Sequence, residues 1–149
     1  MNDTPIKTRS SALPGHLIRR LHQLSTRVFT EETRAAGFDL TPVQFVALDA
    51  LRENNGIDQA RLAEAIAKDR ATVGSVIDRL EQKGLIARQV SRRDKRAREL
   101  ALTDEGAALV AAMTPVVEAL QARILPGLTA QEYDQFIALA AKATAFAPE

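Results

Sequence analysis

From residue 58 to residue 102 the chain sets two short helical stripes end to end, then two short strand-like runs around a densely cationic tip. That order restricts the fold more than any other feature. One helix opens at about Asp58 with Leu62, Ala63 and Ile66 on its apolar face. Lys68-Asp69 separates it from a second helix over about 70–83, closed by Gly84, whose inward face is Val73, Val76, Ile77 and Leu80 at spacings of three and four. Strands over 85–90 and 99–102 flank Ser91-Arg92-Arg93-Asp94-Lys95-Arg96-Ala97-Arg98, which reads as a β-hairpin with a charged tip. Ala63 is small where the second helix must cross closely, and Leu62, Ile66, Val73 and Val76 lock the pair. Two helices so joined and followed by a basic hairpin make a winged helix-turn-helix.

The flanks are helical. Residues 12–36 carry Leu17, Leu21, Leu24 and Val28 at helical spacing, with Pro14 suited to the first turn and Gly37 to the stop. The dozen residues before them are polar and expected to fray. Thr41-Pro42-Val43-Gln44 is a capping box leading into Phe45, Val46, Leu48 and Leu51, and Asn54-Asn55-Gly56 ends that helix. Thr103 caps a long Ala-rich helix to about residue 125, with Pro115 inside it as an expected kink. Thr129-Ala130-Gln131-Glu132 is a second capping box, opening a last helix to about Phe146. The expected architecture is mainly α: a single domain over 1–149, with a winged helix-turn-helix lobe at 40–103, a two-stranded β wing, and dimerisation helices at 12–36 and 104–147. A lobe of about 60 residues leaves stripes such as Leu109, Val110, Val116, Val117, Leu120 and Ile124, or Phe136, Leu139 and Phe146, without a partner. An intrachain bundle would cover them too, but helices at both ends of a small lobe pack more naturally against a symmetric copy.

The net charge of +1 conceals an asymmetry: residues 70–98 sum to +6, and the rest of the chain to −5. Charge runs are usually solvated, but so concentrated a block in an otherwise acidic chain favours a polyanion. The outward residues of the second short helix are Arg70, Ala71, Thr72, Gly74, Ser75, Asp78 and Arg79. Of these, Arg70, Thr72 and Ser75 suit base edges or nearby phosphates, while Arg79 and Lys83 suit the DNA backbone. Gly74 reads either as a close approach to DNA or as a surface glycine that costs about 1 kcal/mol against Ala. In the hairpin, Arg92, Arg93, Lys95, Arg96 and Arg98 supply charge, Arg96 being placed to enter a minor groove. Asp94 is expected to orient Arg96 or Arg98. The bland alternative is a solvated hairpin guarded by charge against edge pairing.

Other chemistries lack their residues. With no Cys, there is no disulfide, thiol sensor, Cys nucleophile or Cys-based zinc site. No H-E-x-x-H or phosphate-cradling Gly-rich loop occurs, so no enzyme is expected, and no cofactor. His16 and His22 stand six residues apart, off a shared helical face, and only Met1 and Met113 would answer to oxidation. No apolar run approaches about 18 residues, and the N-terminus lacks a signal-peptide core. A cytoplasmic protein with no membrane partner is the expectation.

Asp69-Arg70-Ala71-Thr72-Val73, then Ile77-Asp78-Arg79-Leu80-Glu81-Gln82-Lys83-Gly84-Leu85-Ile86, resembles the recognition helix of MarR-type regulators. The stretch Asp94-Lys95-Arg96-Ala97-Arg98-Glu99-Leu100-Ala101-Leu102-Thr103-Asp104-Glu105-Gly106 is similar to their wing and the helix that follows it. The resemblance extends over most of the chain, including Leu40-Thr41-Pro42-Val43-Gln44-Phe45 and Leu128-Thr129-Ala130-Gln131-Glu132. It implies an obligate homodimer with interleaved terminal helices, two winged lobes on a pseudo-palindromic operator in double-stranded DNA, and, in the commoner mode, repression. The family usually carries a larger side chain near Gly74. Family members often release DNA when a small aromatic acid binds between dimer helices and winged lobe. A carboxylate would need an Arg or His partner. His16 and Arg20, one helical turn apart, are the preferred pair, with Gln23, Phe45, Asp49 and Met113 as further lining. Such residues on an amphipathic helix also read as plain surface or dimer rim. Leu13-Pro14-Gly15-His16-Leu17-Ile18-Arg19-Arg20-Leu21 resembles the branch that represses aromatic-acid catabolism, loosely the repressors of nicotinate degradation. That would make 6-hydroxynicotinate a candidate inducer, with hydroxycinnamates and benzoates open. An architectural DNA-binding protein without an effector is the alternative.

Overall fold

The structure is a computed structural model that describes residues 6–66, 70–91 and 93–146, the Arg70 side chain excepted. Six helices, α1 (Pro14–Ala35), α2 (Pro42–Glu53), α3 (Gln59–Ala65), α4 (Arg70–Gln82), α5 (Asp104–Ile124) and α6 (Ala130–Ala145), accompany two strands, β1 (Ile86–Val90) and β2 (Arg98–Leu102). The capping chemistry read from the sequence is in place. The Thr41 hydroxyl accepts from the Gln44 N–H at 3.2 Å while the Gln44 side chain accepts from the Thr41 N–H at 3.0 Å. Asp58 caps α3 by accepting from the Arg61 N–H. In α6 the Thr129 backbone N–H, and then its hydroxyl, hold the Glu132 carboxyl below its ordinary range. That contribution is present above the ordinary Glu range and is lost as pH falls through the lowered value.

The core is a single cluster under the winged lobe. Leu48 and Leu51 of α2, Leu62 of α3, Val73, Ile77 and Leu80 of α4, Leu100 of β2 and Val110 and Met113 of α5 are fully buried. Each such aliphatic contributes about 1.5–3 kcal/mol by leaving water. α1 joins only by its C-terminal half, where Phe29 meets Phe45 with ring centroids 6.3 Å apart and the Thr33 hydroxyl donates to the Phe29 carbonyl. Glu32 of α1 also pairs with Arg123 of α5.

The structure corrects the expectation for the N-terminus and adds detail in the wing and in α5. The polar N-terminus is not simply frayed: Arg9–Ala12 form a 3-10 turn, held by Thr8 and Ser11 bonding each other's backbone and side chains. The wing is the expected two-stranded antiparallel hairpin, with bonds from a neighbouring loop added to it. β1 and β2 pair antiparallel from Ile86 opposite Leu102 to Val90 opposite Arg98, and the α2–α3 loop adds a third edge: Gly56 N–H donates to Leu100 O and Leu100 N–H to Ile57 O, each at 2.9 Å. Asn55 accepts from the Leu102 N–H. Finally, α5 is by length and composition apolar enough to cross a membrane, an 18-residue window averaging a hydropathy of 1.3, although no continuous apolar run occurs in it. Alanines raise that mean, and Val110, Met113 and Leu120 spend the apolar stripe on the lobe. α5 also runs unbroken through Pro115.

The joint between wing and α5 is tightly packed. Thr103 donates its hydroxyl to Gly84 O and its N–H to Leu85 O, and caps α5 by accepting from Gly106 N–H. A Cβ on Gly106 would stand 2.0 Å from the Leu85 carbonyl oxygen, a backbone atom that cannot yield cheaply. Gly106→Ala is therefore expected to lower stability in urea denaturation by about 3 kcal/mol, the upper end for overpacking. Gly15→Ala on α1 has nothing within 4 Å and should leave stability unchanged or slightly raised. Equal effects at the two positions would contradict this packing.

Candidate nucleic-acid interface

The inward positions of α4 are sealed at Val73, Ile77 and Leu80, which turns Thr72, Ser75 and Arg79 outward, all exposed. The side chain of Arg70 lies outside the described residues, as does Arg92 in the wing. Gly74 is half-buried, not an outward-facing surface residue: a Cβ there would lie 3.2 Å from the Gln59 side-chain nitrogen at the start of α3. Its smallness leaves room for the Gln59 side chain, a reading that neither of the sequence alternatives contained. Lys83 also differs from expectation. Its ammonium donates to the Asp39 carbonyl at 2.9 Å, fastening the end of α4 to the α1–α2 loop.

The wing tip is built around Ser91, which is 6% exposed. Its hydroxyl accepts from the N–H groups of Arg93 and Asp94, and its own N–H donates to Ala97 O. Asp94 then accepts from the Arg96 N–H at 2.9 Å, and Ala97 N–H returns to Asp94 O at 3.0 Å. Asp94 does orient Arg96, but through the backbone and not through its guanidinium. Arg93, Lys95, Arg96 and Arg98 project from this tight tip, all exposed. A rigid turn carrying several cations needs little ordering on contact with phosphates, and a hairpin is narrow enough for a minor groove. The sequence reading missed Ser91, whose signal was a small polar residue two and three positions ahead of turn-forming N–H groups. Arg88 leaves the cationic face altogether: it pairs with Asp78 and Glu81 of α4.

The effector candidates do not come together. His16 is half-buried and Arg20 and Gln23 exposed on α1, beyond the lobe. Phe45 and Met113 are core residues, at 8% and 0% exposure, so they wall the lobe and not an opening. Asp49 bonds Arg52 at 2.6 Å, and Arg52 reaches the Thr114 hydroxyl of α5. Gln23 lines an opening of about 490 Å³ with His22, Thr26, Arg27, Thr30 and Glu31. A second, of about 180 Å³, lies between the C-terminal half of α1 and the α1–α2 loop, beside Thr30, Thr33, Arg34 and Asp39. Among the described residues no cluster of His, Asp and Glu is arranged to hold a metal ion.

Helix-turn-helix, braced wing and exposed cations define a DNA-binding transcription factor of the winged-helix class. Comparison with known proteins agrees. The MarR family model matches residues 40–97. The HTH-type transcriptional repressor NicR of Pseudomonas putida is 36% identical over 118 residues, 79% of this chain and 73% of its own length. Bordetella bronchiseptica BpsR, solved in work on regulation of its DNA binding by 6-hydroxynicotinic acid, superposes with a TM-score of 0.86 at 31% identity, covering 96% of this chain and 100% of its own. The repressor CouR bound to a 23-mer DNA duplex gives 0.84 at 28% identity, over 95% and 99%. The chain belongs to the MarR family of transcriptional regulators.

Two substitutions test the wing. Arg96→Ala is expected to weaken binding to a cognate duplex by about tenfold or more at fixed salt, with helical content unchanged. Ser91→Ala, which removes no charge, should weaken it by about fivefold through the loosened turn. Fluorescence anisotropy reads both; unchanged affinity for Arg96→Ala would take the wing out of the interface.

Proposed function

We propose that this chain is a homodimeric repressor whose two winged lobes hold a pseudo-palindromic operator and release it when a small aromatic carboxylate binds beside α1. Supporting this is how exposure is divided along the chain. The lobe is closed, whereas α6 has no buried residue, and Ile18 at 64%, Leu139 at 65% and Phe146 at 77% are left in water on the terminal helices. Apolar surface of that kind, rimmed by polar residues, marks an interface, and a second copy of the same helices satisfies both ends at once. Two copies also carry two α4 helices, which the groove geometry of B-DNA accepts about 34–36 Å apart.

The effector proposal draws on the relatives. BpsR is regulated in its DNA binding by 6-hydroxynicotinic acid and NicR is a repressor, so a hydroxylated pyridine carboxylate is the first ligand to try. On this chain His16 and Arg20 offer the charge-assisted contacts a carboxylate needs, and Gln23, further along α1, borders an opening with His22 and Arg27. The site of action is cytoplasmic, where the operator is.

The test is an anisotropy titration, at fixed salt, against the DNA upstream of the chain's own and adjacent genes, repeated with pyridine, benzoate and hydroxycinnamate acids. Nanomolar specific binding relieved by one acid is expected, and Arg20→Ala should blunt that release by about tenfold while sparing DNA affinity. Binding that no acid alters would leave a constitutive DNA-binding protein. In sedimentation the chain should run as a dimer, and Leu139→Glu with Phe146→Glu should shift it to monomer; a wild-type monomer would contradict the assembly.

A further inference from the structure

The two DNA-reading elements, α4 and the wing, are joined by one cationic side chain that the interface itself does not use. Arg88 lies in the middle of β1, opposite the fully buried Leu100. Its guanidinium turns back onto α4, where it bonds the Asp78 carboxylate through Nη2 and stands 3.9 Å from Glu81 through Nε. The Arg88 side chain is only 27% exposed, against 59% for Asp78, and its Nε is shut from solvent without a hydrogen bond. A cation held in that way is drawn back onto α4: moving it out to a phosphate would break its pairing with Asp78 and leave that carboxylate uncompensated beside a polyanion.

Asp78 itself makes the arrangement informative. It sits on the outward side of α4, next to Arg79 and one turn beyond Ser75, where an unneutralised carboxylate would repel DNA. Its charge is of use there only if it holds something, and what it holds is the wing. The bonds from Gly56 and Ile57 already hold the middle of β2 to the α2–α3 loop; the Arg88 ion pair adds a direct tie from the middle of β1 to α4, and so bears on the spacing of Arg96 from Ser75 and Arg79.

We propose that Arg88 is a positioning residue of the DNA interface, clamping β1 to α4 through Asp78 and Glu81 so that recognition helix and wing meet adjacent grooves at one set spacing. This rests on the DNA-binding reading above, but part of its test needs no DNA. The chain has no Cys, so spin labels attached through Ser75→Cys and Val90→Cys report the distance between helix and wing without further changes. In the full-length labelled protein that distance distribution is expected to be narrow, to broaden on Arg88→Gln, and to narrow again in part with Arg88→Lys. An unchanged distribution overturns the proposal whatever happens to affinity.

The second arm is a double-mutant cycle on the unlabelled protein, with operator and random duplexes. Arg88→Gln and Asp78→Ala should each weaken operator binding by about fivefold, and the double variant no further than the weaker single, because both remove the same clamp. The slope of log affinity against log salt should stay at its wild-type value, and random duplex should be nearly unaffected. If instead Arg88→Gln weakens both duplexes and lowers the slope by about one, while Asp78→Ala strengthens both, Arg88 is a phosphate contact and the clamp is refuted. Should Arg88→Gln fail to fold, Arg88→Lys and Asp78→Ala complete the same cycle. A wild type with no operator preference would overturn the proposed function instead, and leave the distance measurement to decide on the clamp.

Discussion

Everything at the DNA-facing end depends on how closely α3 and α4 approach. Leu62 and Ala63 of one helix are sealed against the Val73, Ile77 and Leu80 side of the other, and Gly74 keeps the N-terminal part of the crossing clear for Gln59. Close packing of that sort resists a slip in register, so it dictates which residues of α4 look outward. Thr72, Ser75 and Arg79 are exposed because Val73, Ile77 and Leu80 are not. The wing is referred to the same helix twice over, through the Gly84–Leu85 turn held by Thr103 and through Arg88 on Asp78.

Much of this was legible in the sequence because the relevant signals are local. Caps at Thr41, Thr103 and Thr129, spacings of three and four in α4, and alternating strands around a basic tip each involve residues within a few positions of one another. The helix ends fall within two residues of their expected places. What escaped reading depends on partners far along the chain. Lys83 was assigned to DNA on its place at the end of a basic helix, yet the carbonyl it bonds is 44 positions earlier. Gly74 had meaning only once Gln59 was seen beside it. The third edge of the wing joins Gly56 and Ile57 to Leu100, a pairing with no periodicity of its own.

The effector region was the least legible part, for a physical reason that separates its candidates. Phe45 and Met113 carry the apolar character expected of an aromatic-acid pocket, but the same character seats them in the core, where Phe45 meets Phe29. Asp49 was a polar residue on the right helix, and its charge is spent on Arg52. His16 and Arg20 stand on the half of α1 that leaves the lobe, so their surroundings depend on what covers that half. The same asymmetry connects recognition to assembly. Phe29 and Thr33 bury one end of α1 in the lobe while Leu17 and Ile18 at the other end remain in water, so any partner gripping the free end holds the lobe through a continuous helix.

The most direct test of a two-lobed, wing-and-helix grip on DNA is a hydroxyl-radical footprint of the full-length protein on its operator. Protection is expected to be symmetric about a two-fold axis, with two central patches about one helical turn apart from the α4 helices and an outer minor-groove patch on each side from the wings. The outer patches should disappear with Arg96→Ala while the central ones persist. A single asymmetric patch, or outer protection indifferent to Arg96, would contradict it.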